Sequence, residues 1–331
     1  MLTAPYTLTL ATDADVTAVL GELARRGLWA RKLEVTSGPN LVEVDEKSRA
    51  VTVEELSTMA GIEHVAGRAS AHPLVDARRG RAVQVGKLFI GPGAAPLHMA
   101  GPCAVESEQQ IDRLADVVAR AGARLLRGSA YKPRTSPYAF QGHGIPALAW
   151  LRAAADREGL GVVTEVMTAE DAPRVAEVAD LVQVGSRNMQ NFSLLKAVGR
   201  QKRPVLLKRG MAATVEDWLL AAEYCLSEGA TGVVFCERGV RGFDPSMRNL
   251  LDLGAVALLA HALGQPVVVD PSHAAGRRDL IPALGRAGLA AGAHGLMVET
   301  HHDPAHALSD GPQALPPEQL AALFASLGGA A

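Results

Sequence analysis

The sequence predicts an α/β chain: a closed barrel of parallel strands, each followed by a helix, preceded by a small α+β domain. Three observations carry that prediction. From residue 98 onward one rhythm recurs: a short apolar run, a polar residue or two, then a longer stretch with helical spacing. Reactive polar side chains sit at the ends of those runs, where a barrel of this kind places its chemistry. Residues 1 to about 70 follow another pattern, in which two-residue alternation is broken by short helical stripes.

The elements follow in chain order. In YTLTLAT, Tyr6, Leu8 and Leu10 alternate with threonines, which predicts a half-buried strand. Asp13 is the expected cap of a helix whose Val16, Val19, Leu20 and Leu23 share a face. ARKLEVTS and NLVEVD read as a hairpin around Ser37, Gly38, Pro39 and Asn40, and Thr52 with Glu55 as a capping box for VEELSTMA. IEHVAG supplies a last strand, so the order βαββαβ is that of a ferredoxin-like domain over residues 1–70. Residues 71–97, with AVQVGKLFIGPG, read as a linker and a short hairpin closing the bottom of the barrel.

The barrel strands are expected in HMAGPCAV (98–105), RLLRGSAY (124–131), GVVTEVM (161–167), LVQVGS (181–186), PVLLKRG (204–210), GVVFCERG (232–239), PVVVDPSH (266–273) and GLMVETH (295–301). The helices between them include ATVEDWLLAAEYCLSEG, where Val215, Leu219, Ala222 and Leu226 form the apolar stripe and Gly229 stops the helix. Eight such units in residues 98–331 match a (β/α)8 TIM barrel. A doubly wound open sheet is the alternative, but its G-x-G-x-x-G turn is missing.

Composition narrows the function. A chain of 331 residues with 48% hydrophobic residues buries a sizeable core, and a net charge of -2 offers no global basic field for nucleic acid. Cys103, Cys225 and Cys236 are too few and too scattered for a disulfide framework, which suits a reducing compartment. The N-terminus lacks a basic region followed by an apolar signal core, and no apolar run reaches the roughly 18 residues of a membrane span. A cytoplasmic protein without nucleic-acid or membrane partners is expected.

The strand ends carry Cys103, Arg127 and Lys132, Glu165, Gln183 and Arg187, Lys208, Glu237 and Arg238, Asp270 and His273, and Glu299. Charges in apolar runs are costly to bury singly, so their recurrence points to one shared polar cavity. Arg127, Lys132, Arg187, Lys208 and Arg238, with Arg134 beside them, would repel one another unless a multiply charged anion binds there. Cys103, His273 and Glu299 lie on the first, seventh and eighth strands, neighbours in a closed barrel, and offer thiolate, imidazole and carboxylate to a divalent transition ion. Asp310 is a candidate fourth ligand. His301, His302, Asp303 and His306 are rivals that spacing alone does not exclude; Glu299 is preferred because it sits at the strand end itself.

At this point the chain resembles a known family, the type I 3-deoxy-D-arabino-heptulosonate 7-phosphate (DAHP) synthases, in the beta subgroup that carries an N-terminal ferredoxin-like regulatory domain. The resemblance rests on AGPCAVES (100–107), LRGSAYKPRTSPYAFQG (126–142), TEVM (164–167), VQVGSRNMQN (182–191), LLKRGM (206–211), FCERGVRGF (235–243), VVVDPSHAAG (267–276), GLMVETHHDP (295–304) and ALSDGPQAL (307–315). The related 3-deoxy-octulosonate 8-phosphate synthases carry Ala-Asn-Arg after the lysine where this chain reads Pro133, Arg134, Thr135. Ser129, Ala130 and Tyr131 depart from the Gly-Ala-Phe often found in the family.

The resemblance implies a metal-dependent condensation of phosphoenolpyruvate with erythrose 4-phosphate, the first step of the shikimate pathway. It implies that Arg127, Lys132, Arg187, Lys208 and Arg238 bind phosphoenolpyruvate. Lys132, Pro133, Arg134, Thr135 and Asp270 would then receive erythrose 4-phosphate. Cys103, His273, Glu299 and Asp310 would hold the metal, Mn2+ ahead of Fe2+, Co2+, Zn2+ or Cd2+. Lys132 is the candidate proton donor, Glu165 or Glu237 the carboxylate that aids water, and Asp270 a partner for a substrate hydroxyl or water. A tyrosine or phenylalanine effector and a homotetramer are also implied. Two other classes remain: a Schiff-base aldolase using Lys208, and a non-catalytic barrel that senses phosphorylated metabolites.

Overall fold

The structure, a computed structural model, describes residues 6–33, 39–45, 47–67, 70–132, 136 and 138–327. The chain divides into two compact units, Met1–Asp76 and Ala77–Ala331.

In the first unit the order is β1 (Tyr6–Leu10), α1 (Val16–Arg25), β2 (Ala30–Leu33), β3 (Leu41–Val44), α2 (Val53–Ser57), β4 (Ile62–Gly67) and a short α3 (Pro73–Asp76). The four strands form one antiparallel sheet in the order β2-β3-β1-β4. Alternation along β1 sends Leu8 and Leu10 into a core with Val19 and Leu23 of α1, Val42 and Val44 of β3, and Leu56. The cap of α1 is Asp15, whose carboxylate accepts from the Thr17 and Ala18 N–H groups, rather than Asp13. Thr52 caps α2 through the Glu55 N–H, but Glu55 turns its carboxylate to Arg49, so the reciprocal half of the expected box is replaced by an ion pair. Ser37 and Gly38 of the expected hairpin turn lie outside the described residues.

The second unit opens with an antiparallel hairpin, β5 (Val83–Val85) and β6 (Leu88–Ile90). Val83, Val85 and Ile90 share one buried cluster with Met99, Leu125, Leu181, Leu206 and Met297 from the barrel strands. The hairpin therefore packs as part of the barrel unit, and the break between units falls before it, after Asp76.

The barrel follows: β7 (Met99–Gly101), α4 (Glu108–Arg120), β8 (Leu125–Arg127), α5 (Ile145–Arg157), β9 (Gly161–Val166), α6 (Ala172–Val178), β10 (Leu181–Val184), α7 (Phe192–Gly199), β11 (Val205–Lys208), α8 (Val215–Ser227), β12 (Val233–Glu237), α9 (Leu253–Ala257), β13 (Val267–Val269), α10 (Pro271–Ala275), α11 (Ile281–Ala290), β14 (Met297–Glu299) and α12 (Pro317–Leu327). Eight parallel strands run in the order β13-β12-β11-β10-β9-β8-β7-β14. A parallel bridge from Val269 to Leu296, with the Val269 N–H donating to Gly295 O at 3.1 Å, joins the two ends of that order. Each strand lies within its expected apolar run. α8 starts on a full Thr214/Asp217 capping box and ends before Gly229, at φ 112°. Gly101 is required by close approach, since a Cβ there would collide with the Arg127 carbonyl on β8.

Candidate active site

A cavity of about 310 Å³ opens where the barrel strands end, lined by Arg127, Lys132, Glu165, Gln183, Lys208 and Arg238 among others. Its position follows from the fold, because the last residue of each parallel strand and the loop after it face the same end.

One side is a cluster of donors. Cys103 follows β7, His273 lies on α10 just after β13, Glu299 is the last residue of β14, and Asp310 sits in the loop after it at φ 53°. One donor atom from each lies within 4.8 Å of the others. Cys103 Sγ is 3.2 Å from Asp310 Oδ2, and His273 Nε2 is 3.4 Å from Glu299 Oε1 and 3.8 Å from Asp310 Oδ2. The rival histidines lie elsewhere: His301 Nε2 is 3.4 Å from Glu106 Oε2, and His306 Nδ1 is 2.8 Å from Asp303 Oδ2.

Every donor is held by a further partner. Asp270 Oδ2 accepts from His273 Nδ1 at 2.7 Å, leaving Nε2 for coordination, and also from Lys208 Nζ at 2.6 Å. Gln313 Nε2 donates to Glu299 Oε2 at 2.6 Å, and Arg127 pairs with Glu299 Oε1 at 2.7 Å. Burial lowers the His273 pKa despite the carboxylates around it. Burial, reinforced by the Glu299 charge, pushes the Cys103 thiol up to about 12. Burial opposes ionisation of Asp310, but His273 and Arg248 outweigh it and bring that carboxyl down to about 2. An imidazole, two carboxylates and a thiol within reach of one point fit a divalent transition ion.

The other side is cationic. Arg127, Lys132, Lys208 and Arg238 are each at most 9% exposed. Arg187 and Arg248 also line the cavity, and Arg187 makes no side-chain hydrogen bond among the described residues. Arg238 Nη1 and Arg127 Nε are buried without a hydrogen-bond partner. Burial lowers the Arg238 pKa, and the nearby charges of Arg248 and Arg187 lower it further against the pull of Asp270. Lys132 Nζ donates to the Cys103 carbonyl and lies 3.0 Å from its sulfur. Burial opposes its charge, but Cys103, Glu165 and Glu299 more than restore it. Glu165 enters the cavity through the space that Gly185 leaves, since a Cβ there would strike its Oε1, and Gln183 Nε2 donates to its Oε2 at 3.0 Å.

Two of the expected acid–base residues stand differently. Glu237 is 0% exposed and does not line the cavity: Arg209 pairs with its Oε2 at 3.0 Å and the Gly239 N–H donates to its Oε1 at 2.7 Å. Asp270 does not line it either, because both His273 and Lys208 consume its carboxylate. Pro133, Arg134 and Thr135 lie outside the described residues. The sequence reading missed Arg248, Gln313 and Arg209. Arg248 donates to Gln313 Oε1 at 3.0 Å and lies 3.5 Å from Asp310 Oδ1, and its only signal was a lone arginine in a loop rich in turn formers.

Comparison with known proteins places this geometry. Residues 68–328 match the model of a family described as the DAHP synthetase I family. The chain is 49% identical over 233 residues to a phospho-2-dehydro-3-deoxyheptonate aldolase of Thermotoga maritima, covering 70% of this chain and 69% of that one. It is 36% identical over 238 residues to a 2-dehydro-3-deoxyphosphooctonate aldolase of Acidithiobacillus ferrooxidans, covering 66% of this chain and 83% of the relative. The crystal structure of the Thermotoga maritima DAHP synthase superposes with a TM-score of 0.75 at 37% identity, covering 98% of this chain and 96% of that one. A truncated form from the same organism gives 0.72 at 42% identity, covering 78% of this chain and 96% of that one.

Proposed function

The chain belongs to the DAHP synthetase I family, and from that premise we propose how its cavity carries out the family's reaction. The reaction is the aldol-type condensation of phosphoenolpyruvate with erythrose 4-phosphate, giving DAHP and inorganic phosphate for aromatic biosynthesis. The observation that carries our reading is the facing of two unlike halves across one cavity, clustered cations on one side and ion donors on the other.

Arg127, Lys132, Arg187, Lys208 and Arg238 clamp the phosphate and carboxylate of phosphoenolpyruvate, which supplies acceptors for the buried Arg127 Nε and Arg238 Nη1. Cys103, His273, Glu299 and Asp310 would hold a divalent ion, Mn2+ by preference over Fe2+, Co2+, Zn2+ or Cd2+, which would supply Lewis-acid polarisation of the aldehyde oxygen. Lys132, kept charged by its neighbours, gives a proton to that oxygen as C3 of phosphoenolpyruvate forms the new carbon–carbon bond. Glu165, the carboxylate lining the cavity on this side, aids the water that adds at C2 before phosphate leaves by C–O cleavage. Asp270 orients His273 and Lys208 instead of touching substrate. By family resemblance Arg134 and Thr135 receive the phosphate of erythrose 4-phosphate, and Pro133 limits the freedom of their loop. Lys208, ion-paired at 2.6 Å, is unsuited to a Schiff base.

The first unit has the element order and sheet order of a ferredoxin-like domain, and we assign it to feedback binding of tyrosine or phenylalanine in a cytoplasmic homotetramer. Among the described residues no helix is long and apolar enough to cross a membrane. The test is loss of phosphoenolpyruvate absorbance with Mn2+ and erythrose 4-phosphate, run beside samples with EDTA, with arabinose 5-phosphate as the aldehyde, and with added tyrosine. Consumption that needs metal and erythrose 4-phosphate supports the reading. Consumption with arabinose 5-phosphate alone turns it to an octulosonate synthase, and no consumption with any divalent metal removes it.

A further inference from the structure

We propose that the buried Arg209 and Glu237, together with the partly exposed Asp252, form a positioning network behind the cavity wall that aims the two cavity cations Lys208 and Arg238 at the anionic substrate. The proposal rests on the assignment of those cations to phosphoenolpyruvate.

Arg209 is 6% exposed and Glu237 0%, and neither lines the cavity. A buried pair of this kind seldom stabilises a fold more than apolar residues of the same volume, because desolvation cancels most of the attraction. Its position suggests another use. Lys208 directly precedes Arg209, and Arg238 directly follows Glu237, so both members of the buried pair adjoin a cavity cation across one peptide bond. Consecutive side chains at a strand end point to opposite sides, so fixing the outer one fixes the inner one.

The fixing is extensive. Arg209 Nη1 donates to Glu237 Oε2 at 3.0 Å and to Asp252 Oδ2 at 2.9 Å, and Nε donates to Ala213 O at 3.1 Å. Its guanidinium lies 5.8 Å from the ring centre of Trp218, itself anchored by Nε1 to Leu207 O at 3.0 Å. The other oxygen of Glu237 accepts from the Gly239 N–H, and the Glu237 carbonyl accepts from the Asp270 N–H at 2.8 Å, so the peptides on both sides of Arg238 are held. Gly239, at φ 94°, packs where a Cβ would strike Asn249, and Asn249 Nδ2 donates to His273 O at 3.0 Å. Asp252 also caps α9 through the Ala255 N–H. Arg238 makes no side-chain hydrogen bond among the described residues, so its backbone alone aims it.

Glu237→Gln keeps volume and removes the charge that Arg209 grips. Phosphoenolpyruvate affinity, measured by calorimetry, and its KM should worsen by roughly tenfold or more, while the KM for erythrose 4-phosphate and the Mn2+ affinity stay within about twofold. The double variant Arg209→Met with Glu237→Leu restores packing without charge. The proposal expects its melting temperature to recover and its phosphoenolpyruvate affinity to stay weak. Recovery of both, or wild-type phosphoenolpyruvate affinity in Glu237→Gln, overturns the network. Should Glu237→Gln fail to fold, Asp252→Asn, whose side chain is 33% exposed, gives the same readouts on a folded protein. If Arg238→Gln leaves phosphoenolpyruvate affinity unchanged, the substrate assignment fails instead.

Discussion

The two units of this chain use polar residues in opposite ways. Among the described residues of Met1–Asp76 only Ser48 and His72 are buried polar groups, and the arginine–glutamate pairs Arg31–Glu43 and Arg49–Glu55 lie at its surface. In Ala77–Ala331, Arg127–Glu299, Lys208–Asp270 and Arg209–Glu237 are ion pairs in which no side chain is more than 7% exposed. The first unit folds on an apolar core and keeps its charges in water, where each pair is worth at most about 1 kcal/mol. The barrel accepts the desolvation of many charges, and stability does not account for that. Charges placed inside at such cost are there for a ligand or for one another.

The contrast breaks most sharply at the ion donors. Cys103→Ala should abolish Mn2+ binding, followed by electron paramagnetic resonance, and lower kcat by roughly a thousandfold or more while leaving the fold intact. Retained activity with metal bound would mean that the cluster is only a polar knot in the barrel. Arg238→Gln comes next: it should raise the phosphoenolpyruvate KM by roughly ten- to a hundredfold with Mn2+ affinity unchanged. The same variant should not lower the melting temperature of the ligand-free protein, because it removes a buried cation whose Nη1 has no partner. A large loss of stability would show that this arginine serves the fold.

Asp270→Asn tests the layer behind the donors. The amide retains shape but no longer holds His273 as its Nδ1–H form, so Mn2+ affinity should fall roughly ten- to a hundredfold. An unchanged affinity would assign Asp270 to Lys208 alone.

Much of this was legible in the sequence because a parallel barrel couples position to direction. A residue at the end of an apolar run must face the cavity end, so Cys103, Arg127, Glu165, Lys208 and Glu299 were all nameable without coordinates. What strand position does not encode is which of two adjacent end residues faces inward. Glu237 and Arg238 are neighbours, and only the structure assigns the carboxylate to Arg209 and the guanidinium to the cavity. Asp270 stands off the cavity lining for a related reason: it directly follows β13 and caps α10, so its carboxylate is taken locally. Arg248 and Gln313 were invisible because they come from long loops, where no periodicity ties a residue number to a place in space. The Asp15 cap was missed by two residues, within the margin that three nearby aspartate and threonine side chains allow.

The smallest expected effect sharpens the comparison furthest. Every residue lining the cavity, every donor of the ion cluster and the network behind Lys208 and Arg238 belong to Ala77–Ala331. That unit contains its own core, including the hairpin of β5 and β6 that joins the cluster beneath the strands. The truncated Thermotoga maritima form, which covers 78% of this chain, shows that a shortened relative takes up the corresponding fold. Removal of residues 1–76 should therefore leave kcat/KM within about threefold when no effector is present, and abolish any response to tyrosine or phenylalanine. A collapse of activity in a truncated protein that still binds Mn2+ would mean that the first unit contributes to catalysis directly. The scarcity of buried polar groups among its described residues would then have to be explained by what its surface charges do.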